Sequence, residues 1–340
     1  MNFARSMDAL TEQDLQRIRK NLFFVVGTSR SGTTLLQAML SSHSEITLPP
    51  ETHFFHEAAN LKKHFPPPLD DDDRKKLVGY WQGNRTRMRD LSLSTIHIQD
   101  AAEKFKPNSI ADFFLLNLAL YANIRGKTKI GEKTPRHIRH VEEMLEFFPD
   151  AKIIALFRDP RAAALSEINA SFGSPSVAVT ARRWKEYVNL HLEYEAHLPA
   201  NQYMMIRYED LIEEPEAYLQ QLCDFLEVPF EVEMLRYYQR GKDEKGFPEH
   251  EKWKTGTMQP VQKDRNERWE RELSENQVQL VEYLAGGLMD KLGYERLYSA
   301  NDIASSRLQV YRLWDFSKSI VATITGSRKQ GYREAGRFSL

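Results

Sequence analysis

A short apolar run that ends in a glycine, followed by a polar loop and a helical pattern, constrains this chain most. Residues 22–26 are apolar and rich in β-forming types, which predicts a buried strand that ends at Gly27. From Ser31 onward, leucine and methionine recur at helical spacing. Such a junction binds anions, because free backbone N–H groups and the helix dipole point to one place. Residues 21–40 therefore predict an anion site.

The loop of this anion site differs from the loop that binds nucleoside triphosphates. That motif is G-x-x-x-x-G-K-[ST], and here Gly27 and Gly32 have its spacing while Thr33 stands where the lysine would be. The positive charge lies earlier, at Arg30. The pattern predicts a cradle for a phosphate-like group without lysine-dependent triphosphate hydrolysis. A plain glycine turn with capping Ser and Thr side chains is the alternative interpretation.

A second junction of the same kind follows the apolar run at residues 151–157, which predicts another buried strand. Asp159 has the side chain of a helix N-cap, and Pro160 suits the first helical position because its φ is fixed. Arg158 therefore ends the strand, and Ser166 lies about two turns into the helix. This predicts a second anion site, with a surface ion pair of Arg158 as the alternative.

The spacing of the strands predicts the fold class. Strands near residues 22, 130, 153 and 204 are separated and followed by helical patterns, among them 137–148 and 231–240. This alternation predicts an α/β fold with a mostly parallel central sheet and helices on both faces. Ligands bind at the carboxyl ends of such strands. Arg30, Lys133 and Arg158 all lie at or just past strand ends, so we expect these three cations to face one crevice. A ligand that carries two separated anionic groups fits such a site.

The segment after the first helix returns toward this crevice. Pro49 and Pro50 favour an extended chain, so Glu51 should reach the edge that carries the anion loop, at the start of a helix over residues 51–57. His53 and His56 are three residues apart and form a possible metal pair. No third ligand is evident nearby, and we favour packing or substrate contact for both.

Composition limits the classes of protein that the chain represents. The 340 residues carry a net charge of −1, which gives no indication of a nucleic-acid partner. The single cysteine, Cys223, excludes an internal disulfide framework and suits a reducing compartment. No apolar run approaches about 18 residues, and the start lacks the core of a signal peptide. We therefore expect a soluble, cytoplasmic protein without a transmembrane segment.

Three segments outside the strand–helix series have open interpretations. Residues 75–105 look helical and basic, with Arg85, Arg87 and Arg89 clustered, and either cover the site or form a solvated face. Residues 241–267 lack periodicity and predict a loop. Residues 299–340 carry seven Lys and Arg against three Asp and Glu. Their amphipathic pattern predicts a helix that contacts a partner, another copy of the chain or an anionic surface, or else packs back onto its own domain.

These motifs resemble those of sulfotransferases that use 3′-phosphoadenosine-5′-phosphosulfate (PAPS). The stretch from Gly27 to Thr34 resembles the loop that binds the 5′-phosphosulfate, and the stretch from Arg158 to Arg161, with Ser166, resembles the 3′-phosphate site. Three other segments also match the family: 131–135, 208–211, and the stretch from Arg268-Trp269 to Gly293-Tyr294. The resemblance covers residues 20–296. It implies a P-loop NTPase-like three-layer fold, in which residues 1–298 form one domain and a helical insertion at about 60–125 covers the acceptor site. The basic amphipathic extension 299–340 falls outside the resemblance.

The resemblance also implies the roles of individual residues. The arginine at position 30 of the loop makes this chain similar to the tyrosylprotein sulfotransferases and their bacterial relatives. Those enzymes carry a glutamate base at the place that matches Glu51. Arg30 and Lys133 would stabilise the transferred group. His53 and His56 are candidate substrate contacts from their own position after Glu51, not from the resemblance. The donor-binding residues would be Arg30, Ser31, Gly32, Thr33, Thr34, Arg158, Ser166 and Tyr208.

The implied reaction transfers the sulfuryl group of PAPS to a hydroxyl or amine of a small molecule, carbohydrate, lipid or peptide. PAP, the 3′,5′-bisphosphate of adenosine, is the product, and no metal is required. The alternative functions are a P-loop-type kinase that acts on a small molecule and a non-catalytic scaffold of the same fold.

Overall fold

The fold is built on one parallel β-sheet. The computed structural model describes residues 10–83, 87–170, 173–239, 259–262, 266–298 and 306–324. The strands are β1 Phe23–Gly27, β2 Ile46–Thr47, β3 Lys129–Lys133, β4 Lys152–Phe157 and β5 Tyr203–Arg207. They lie in the order β2-β3-β1-β4-β5, and every neighbouring pair is parallel. This confirms the predicted fold class, in which parallel strands alternate with helices.

Helices lie between and after the strands. They are α1 Glu12–Lys20, α2 Thr33–Ser41, α3 Phe54–His64, α4 Asp71–Gln82, α5 Thr95–Phe105, α6 Ile110–Ile124, α7 Val141–Phe147, α8 Pro160–Ile168, α9 Val177–His197, α10 Tyr208–Glu213, α11 Pro215–Leu226, α12 Arg268–Glu272, α13 Glu275–Lys291 and α14 Ser306–Ile324. Short 3-10 turns cover Met88–Leu91, Pro135–His140, Val232–Met234 and Tyr237–Gln239. No described helix is both long and apolar enough to cross a membrane.

The alternation of side chains along β1 divides the core into two layers. Phe24 and Val26 pack with α1 and the helices from α3 to α7, whereas Phe23 and Val25 pack with α2 and α11. Because successive strand residues point to opposite faces, the sheet is covered on both sides and the fold has three layers. Cys223 is buried in the second of these cores, as expected for packing rather than for a nucleophile.

The carboxyl ends of the central strands lie at one edge. Val25 stands opposite both Lys133 and Ile154, and Gly27 stands opposite Leu156. The chain therefore leaves β1, β3 and β4 at the same edge, which brings the two strand–helix junctions and the end of β3 together.

Three sequence expectations about helices are wrong in detail. The helix expected from Glu51 begins at Phe54, because the Thr52 hydroxyl accepts a hydrogen bond from the N–H of Phe54 (3.3 Å) and His53 takes a left-handed φ of +54°. The helix expected over 137–148 starts as a 3-10 turn, since Pro135 fixes the first position. The segment 231–240 forms only two 3-10 turns within the described residues.

The helix predicted in the basic extension is α14. It packs against α9 and α13, and the buried carboxylate of Asp315 accepts hydrogen bonds from the Ser176 hydroxyl (2.5 Å) and the N–H of Ala178 (3.0 Å). Arg85, most of the predicted loop at 241–267 and residues 325–340 lie outside the described residues.

Candidate active site

The loop between β1 and α2 is a tight turn tied to its neighbours. Thr28 donates its N–H to the carbonyl of Leu156 (3.0 Å), and Ser31 donates both its N–H and its hydroxyl to the carbonyl of Thr28 (3.3 and 2.7 Å). Arg30 has a left-handed φ of +67° and Gly32 one of +90°. This geometry turns the chain into α2, whose first N–H groups have no acceptor within the helix and face the loop.

Both glycines of the loop are required by close approaches. A Cβ atom on Gly27 would lie 2.4 Å from the carbonyl oxygen of Leu156, and one on Gly32 would lie 2.2 Å from the ring of Tyr208. Tyr208, predicted as a donor-binding residue, is therefore a wall of the loop. The spacing of the two glycines therefore meets a packing requirement, apart from the predicted binding of an anion.

Arg30 connects the two predicted anion sites. Its Nε donates a hydrogen bond to the hydroxyl of Ser166 (3.0 Å), which lies on α8 after the second junction. Burial lowers the pKa of the Arg30 guanidinium from its usual value, while the nearby carboxylate of Glu167 opposes that shift and the charge of Arg158 adds to it. Arg30 and Ser166, expected at opposite ends of a ligand, thus lie side by side.

Arg158 is held at the end of β4 with 8% of its surface exposed. Its carbonyl accepts the indole N–H of Trp184 (2.7 Å), and its Nε donates to the side-chain oxygen of Asn266 (3.1 Å). The guanidinium carbon lies 4.5 Å from the ring centroid of Tyr208. One tyrosine ring therefore contacts both Gly32 of the first junction and Arg158 of the second.

The second junction is fixed by a buried network of charges. Asp159 caps α8 by accepting the N–H of Arg161 (2.7 Å), and the Arg161 guanidinium bonds to Asp159 and to Glu282 of α13 (2.7 Å to each). The ring of Trp269 lies 3.9 Å from the centre of the same guanidinium. Glu209 accepts the N–H of Asp159 (3.0 Å). Residues of α10, α12 and α13 thus hold the start of α8, which directly follows Arg158, in place.

Lys133 and Glu51 form an ion pair at the carboxyl end of β3. The ammonium and Oε1 are 2.5 Å apart, and the lysine side chain is fully buried while that of the glutamate is 18% exposed. Glu51 therefore reaches the edge of the sheet at which the sequence places it. The negative charge of Glu51 also acts on Arg30, where it offsets part of the lowering of the arginine pKa that burial causes.

A buried carboxylate that the sequence analysis did not single out positions the segment of Glu51. Glu132 accepts hydrogen bonds from the N–H and hydroxyl of Thr52 (3.2 and 2.8 Å), from the Thr134 hydroxyl (2.6 Å) and from His137 (3.0 Å). Burial opposes the charged form, but the charge of His137 and these hydrogen bonds outweigh it, so the pKa of Glu132 lies below its usual range. An acidic residue in the middle of a buried strand was the signal available in the sequence.

His53 and His56 lie beside the ion pair. His53 Nε2 is 3.5 Å from Oε2 of Glu51, and the Nδ1 atoms of the two histidines are 3.3 Å apart. Burial, together with His137 and the other nearby histidines, lowers the pKa of His56 to about 2, so this ring is neutral near pH 7. In the described part of the chain, no group of three or more His, Cys, Asp or Glu side chains is arranged to hold a metal ion.

The structure thus brings together the predicted catalytic residues Glu51, Arg30 and Lys133. The predicted donor-binding residues Ser31, Gly32, Thr33, Thr34, Arg158, Ser166 and Tyr208 lie at the two junctions described above. Asn266 was missed by the sequence analysis, because it follows a stretch without periodicity. Its only signal is its nearness to Arg268 and Trp269.

Comparison with known proteins identifies the family. A model described as the sulfotransferase family matches residues 23–232. Protein-tyrosine sulfotransferase A of Caenorhabditis elegans is 23% identical over 277 residues, which cover 80% of this chain and 67% of that protein. The protein-tyrosine sulfotransferase of Drosophila melanogaster is 23% identical over 283 residues, which cover 81% of this chain and 52% of that protein. The chain thus spans about half the length of the second relative.

Two solved structures share the fold. The sulfotransferase domain from the curacin biosynthetic pathway has a TM-score of 0.55 at 20% identity, and the match covers 81% of this chain and 98% of that domain. The sulfotransferase domain of the olefin synthase from Synechococcus PCC 7002 has a TM-score of 0.53 at 22% identity, and the match covers 78% of this chain and 94% of that domain. Both likenesses concern the fold.

Proposed function

The chain belongs to the sulfotransferase family, and on that premise we propose that it transfers the sulfuryl group of PAPS to a hydroxyl or amine of an acceptor, with Glu51 as general base. The observation that supports this proposal is that the two predicted anion sites lie next to each other at one edge of the sheet. One lies at the loop from Gly27 to Thr34 and the other at Arg158, and the contact between Arg30 and Ser166 joins them. PAPS carries anionic groups at its 5′ and 3′ positions, so each site receives one of them.

In the proposed binding mode, the loop and the first turn of α2 hold the 5′-phosphosulfate with Ser31, Gly32 and the side chains of Thr33 and Thr34. Arg158 holds the 3′-phosphate and is stacked on Tyr208. Ser166 lies between the two sites through its bond to Arg30. This position suits a residue that fixes the distance between the sites.

The proposed reaction is an in-line displacement at sulfur. The acceptor oxygen forms a bond to sulfur while the bond from sulfur to the bridging oxygen of the phosphosulfate breaks, and PAP leaves with the electron pair of that bond. The acceptor proton passes to the carboxylate of Glu51. Arg30 and Lys133 neutralise the charge that grows on the bridging oxygen and on the leaving phosphate. These cations are part of the chain itself, so we propose that no metal takes part.

The acceptor site is proposed to lie between Glu51, the two histidines and the helical segment 60–125. His53 and His56 line the approach to the base, and a neutral His56 gives or accepts a hydrogen bond without adding charge. The names of the relatives make a tyrosine in a peptide the first acceptor to test. Carbohydrate, lipid and small-molecule hydroxyls form the remaining panel.

The kinase alternative predicts a different ligand. It needs a lysine where Thr33 stands and a carboxylate that holds Mg²⁺, whereas Asp159 is engaged by Arg161 and caps α8. Calorimetry with PAP and with ATP and Mg²⁺ separates the two classes. Binding of PAP without binding of the ATP complex supports the proposal, and the reverse result overturns it.

Glu51→Gln tests the base. A general base contributes about 10²–10⁴-fold, so we expect kcat to fall by that range with a hydroxyl acceptor. PAP affinity should stay unchanged or rise, because the variant removes the carboxylate that competes for Lys133. Glu57→Gln, an exposed position on α3, is the matched control and should leave kcat unchanged.

The reserve candidates for the base are His53 and His56. If Glu51→Gln keeps near-normal turnover while His53→Ala or His56→Ala abolishes it, a histidine is the base. If none of the three variants changes kcat, the acceptor needs no base, as expected for an amine.

A further inference from the structure

The segment that carries Glu51 is neither helix nor strand. This base segment, residues 48–53, lies between β2 and α3. Pro49 and Pro50 within it have no N–H, so these two residues cannot donate hydrogen bonds to a neighbouring strand. The position of Glu51 therefore depends on bonds from side chains of other elements.

The side-chain amide of Gln37 holds the beginning of the base segment. Gln37 is fully buried on α2, and it donates to the carbonyls of Pro49 (2.9 Å) and Leu48 (3.4 Å). It comes one helical turn after Thr33, which the proposed binding mode places at the 5′-phosphosulfate. The helix that holds the donor in this mode therefore also holds the chain that leads to Glu51.

Glu132 of β3 holds the end of the base segment. Its Oε1 accepts the N–H and the hydroxyl of Thr52 (3.2 and 2.8 Å). The Thr134 hydroxyl donates to the same oxygen (2.6 Å) and accepts the N–H of His53 (3.4 Å). His53 has a left-handed φ of +54°, a conformation that costs free energy outside glycine and persists where the surrounding structure enforces it. Glu132 and Thr134 thus fix the end of the segment against its own backbone preference.

Glu51 lies between these two holds. Lys133, which follows Glu132 on β3, pairs with Glu51, so two consecutive residues of β3 bind two consecutive residues of the base segment. A displacement of about 1 Å can cost a reaction about 10²-fold, because the reacting atoms lose their alignment. A general base on a segment without regular structure therefore needs a hold on each side.

We propose that Gln37 and Glu132 are positioning residues of the transfer reaction. Together they form a clamp that fixes the base segment, so that Glu51 stands between Lys133 and the acceptor. Each acts through the base segment and not on the reacting groups. Gln37 also links the position of the base to the helix that holds the donor. This inference rests on the proposed function of Glu51 as the base.

Hydrogen exchange of the full chain tests the clamp without an acceptor. Gln37→Leu keeps a side chain of similar size and helix propensity but removes the amide that bonds to the base segment. Exchange at the N–H groups of Thr52 and His53 should become roughly tenfold faster, because the segment opens more often. Exchange in β4 should stay unchanged, which shows that the fold is intact. Gln202→Leu is the matched control, since Gln202 also donates to a proline carbonyl, that of Pro149 (2.6 Å), and lies before β5 at the opposite edge of the sheet.

Kinetics tests whether the clamp acts through Glu51. The acceptor is a tyrosine-containing peptide, or the first hydroxyl compound of the proposed panel that the parent sulfates. Gln37→Leu and Thr52→Val should each lower kcat about tenfold or more and leave PAP affinity unchanged. Thr52→Ser keeps the hydroxyl that bonds to Glu132 and should restore kcat. In the background of Glu51→Gln, neither variant should lower kcat further, because residues that act as a unit are not additive.

The outcomes separate failure of the clamp from failure of the proposed base. Unchanged exchange at Thr52 and His53 in Gln37→Leu overturns the clamp. A loss of kcat that persists in full in the background of Glu51→Gln also overturns it, because the clamp would then act on another group. If Glu51→Gln lowers kcat and the clamp variants do not, only the clamp is wrong. If Glu51→Gln keeps full kcat, the proposed base is wrong and the clamp has no base to position.

Discussion

Replacing Gly32 with alanine should disturb both ends of the proposed donor site at once. The new Cβ atom would lie 2.2 Å from Cδ2 of Tyr208, and ordinary contact begins near 3.4 Å, so the ring must retreat by about 1.2 Å (3.4 − 2.2). The same ring stacks under the guanidinium of Arg158. A substitution in the loop that holds the 5′ end therefore reaches the residue proposed for the 3′-phosphate.

Two separate effects determine how much stability Gly32→Ala should lose. Gly32 has a φ of +90°, and a left-handed conformation costs an alanine about 1–2 kcal/mol. Overpacking against the buried Tyr208 adds about 1–3 kcal/mol. We therefore expect the free energy of unfolding to fall by about 2–5 kcal/mol. PAP affinity should fall at least about tenfold, because one charged contact to a phosphate contributes roughly 1.5–3 kcal/mol and Arg158 loses its support.

Urea unfolding measures the change in the free energy of unfolding, and calorimetric titration with PAP measures the change in PAP affinity. Gly79→Ala is the matched control, because nothing lies within 4 Å of its added Cβ atom on α4. That variant should be as stable as the parent or more stable, by up to about 1 kcal/mol. In the double variant Gly32→Ala, Tyr208→Leu, the ring that the new Cβ atom would strike is absent. The free energy of unfolding should then fall only by the cost of the left-handed φ at position 32.

The reasoning fails if Gly32→Ala matches Gly79→Ala in stability and retains full PAP affinity. That result would mean that Tyr208 moves without cost and that the loop does not need its left-handed glycine. A loss of stability with unchanged PAP affinity would refute only the proposed coupling between the two junctions.

Two further predictions concern single side chains of the site. Arg158→Ala should weaken PAP binding by tens of times, since it removes a charged hydrogen bond of about 1.5–3 kcal/mol, and should leave AMP, which lacks the 3′-phosphate, almost unaffected; equal weakening of both ligands in calorimetry would refute the assignment. The pKa of His56 is about 2 in the folded chain against 6.5 in the reference state, so protonation of the unfolded chain lowers stability as the pH falls below about 6.5. Between pH 6 and 5, His56→Asn should therefore reduce the slope of unfolding free energy against pH by about 1.2 kcal/mol per unit; equal slopes of the parent and the variant in urea unfolding would contradict it.

The parts of the molecule that the sequence predicted are those governed by local patterns. The strand that ends at Gly27 and the junction at Arg158 follow from apolar runs, a glycine and a proline that act within a few residues. Parallel topology then places Arg30, Lys133 and Arg158 at one edge. The position of Glu51 followed in the same way, from an extended segment of known length.

The parts that the sequence did not predict depend on contacts between distant residues. The start of α3 was placed three residues too early, because Thr52 engages Glu132, which lies far along the chain. The two faces of α14 were equally compatible with docking outward or packing inward. The packing of α14 against α9 and α13, with the bonds of Asp315 to Ser176 and Ala178, shows that the helix lies on its own domain, and no spacing rule reveals such partners.

The ion pair of Lys133 with Glu51 has a consequence for the order in which substrates bind. Oε1 of Glu51 is 2.5 Å from a buried ammonium, and such a cation weakens the carboxylate as a base, so an acceptor that arrives first meets a poor acceptor for its proton. Under the proposed reaction, the donor draws Lys133 to its own oxygens and thereby releases Glu51. The donor must then bind before the acceptor, and an acceptor bound to the donor-free protein forms a dead-end complex. Steady-state kinetics should show this as a compulsory sequence with the donor leading, and as inhibition by high acceptor concentrations that more donor relieves.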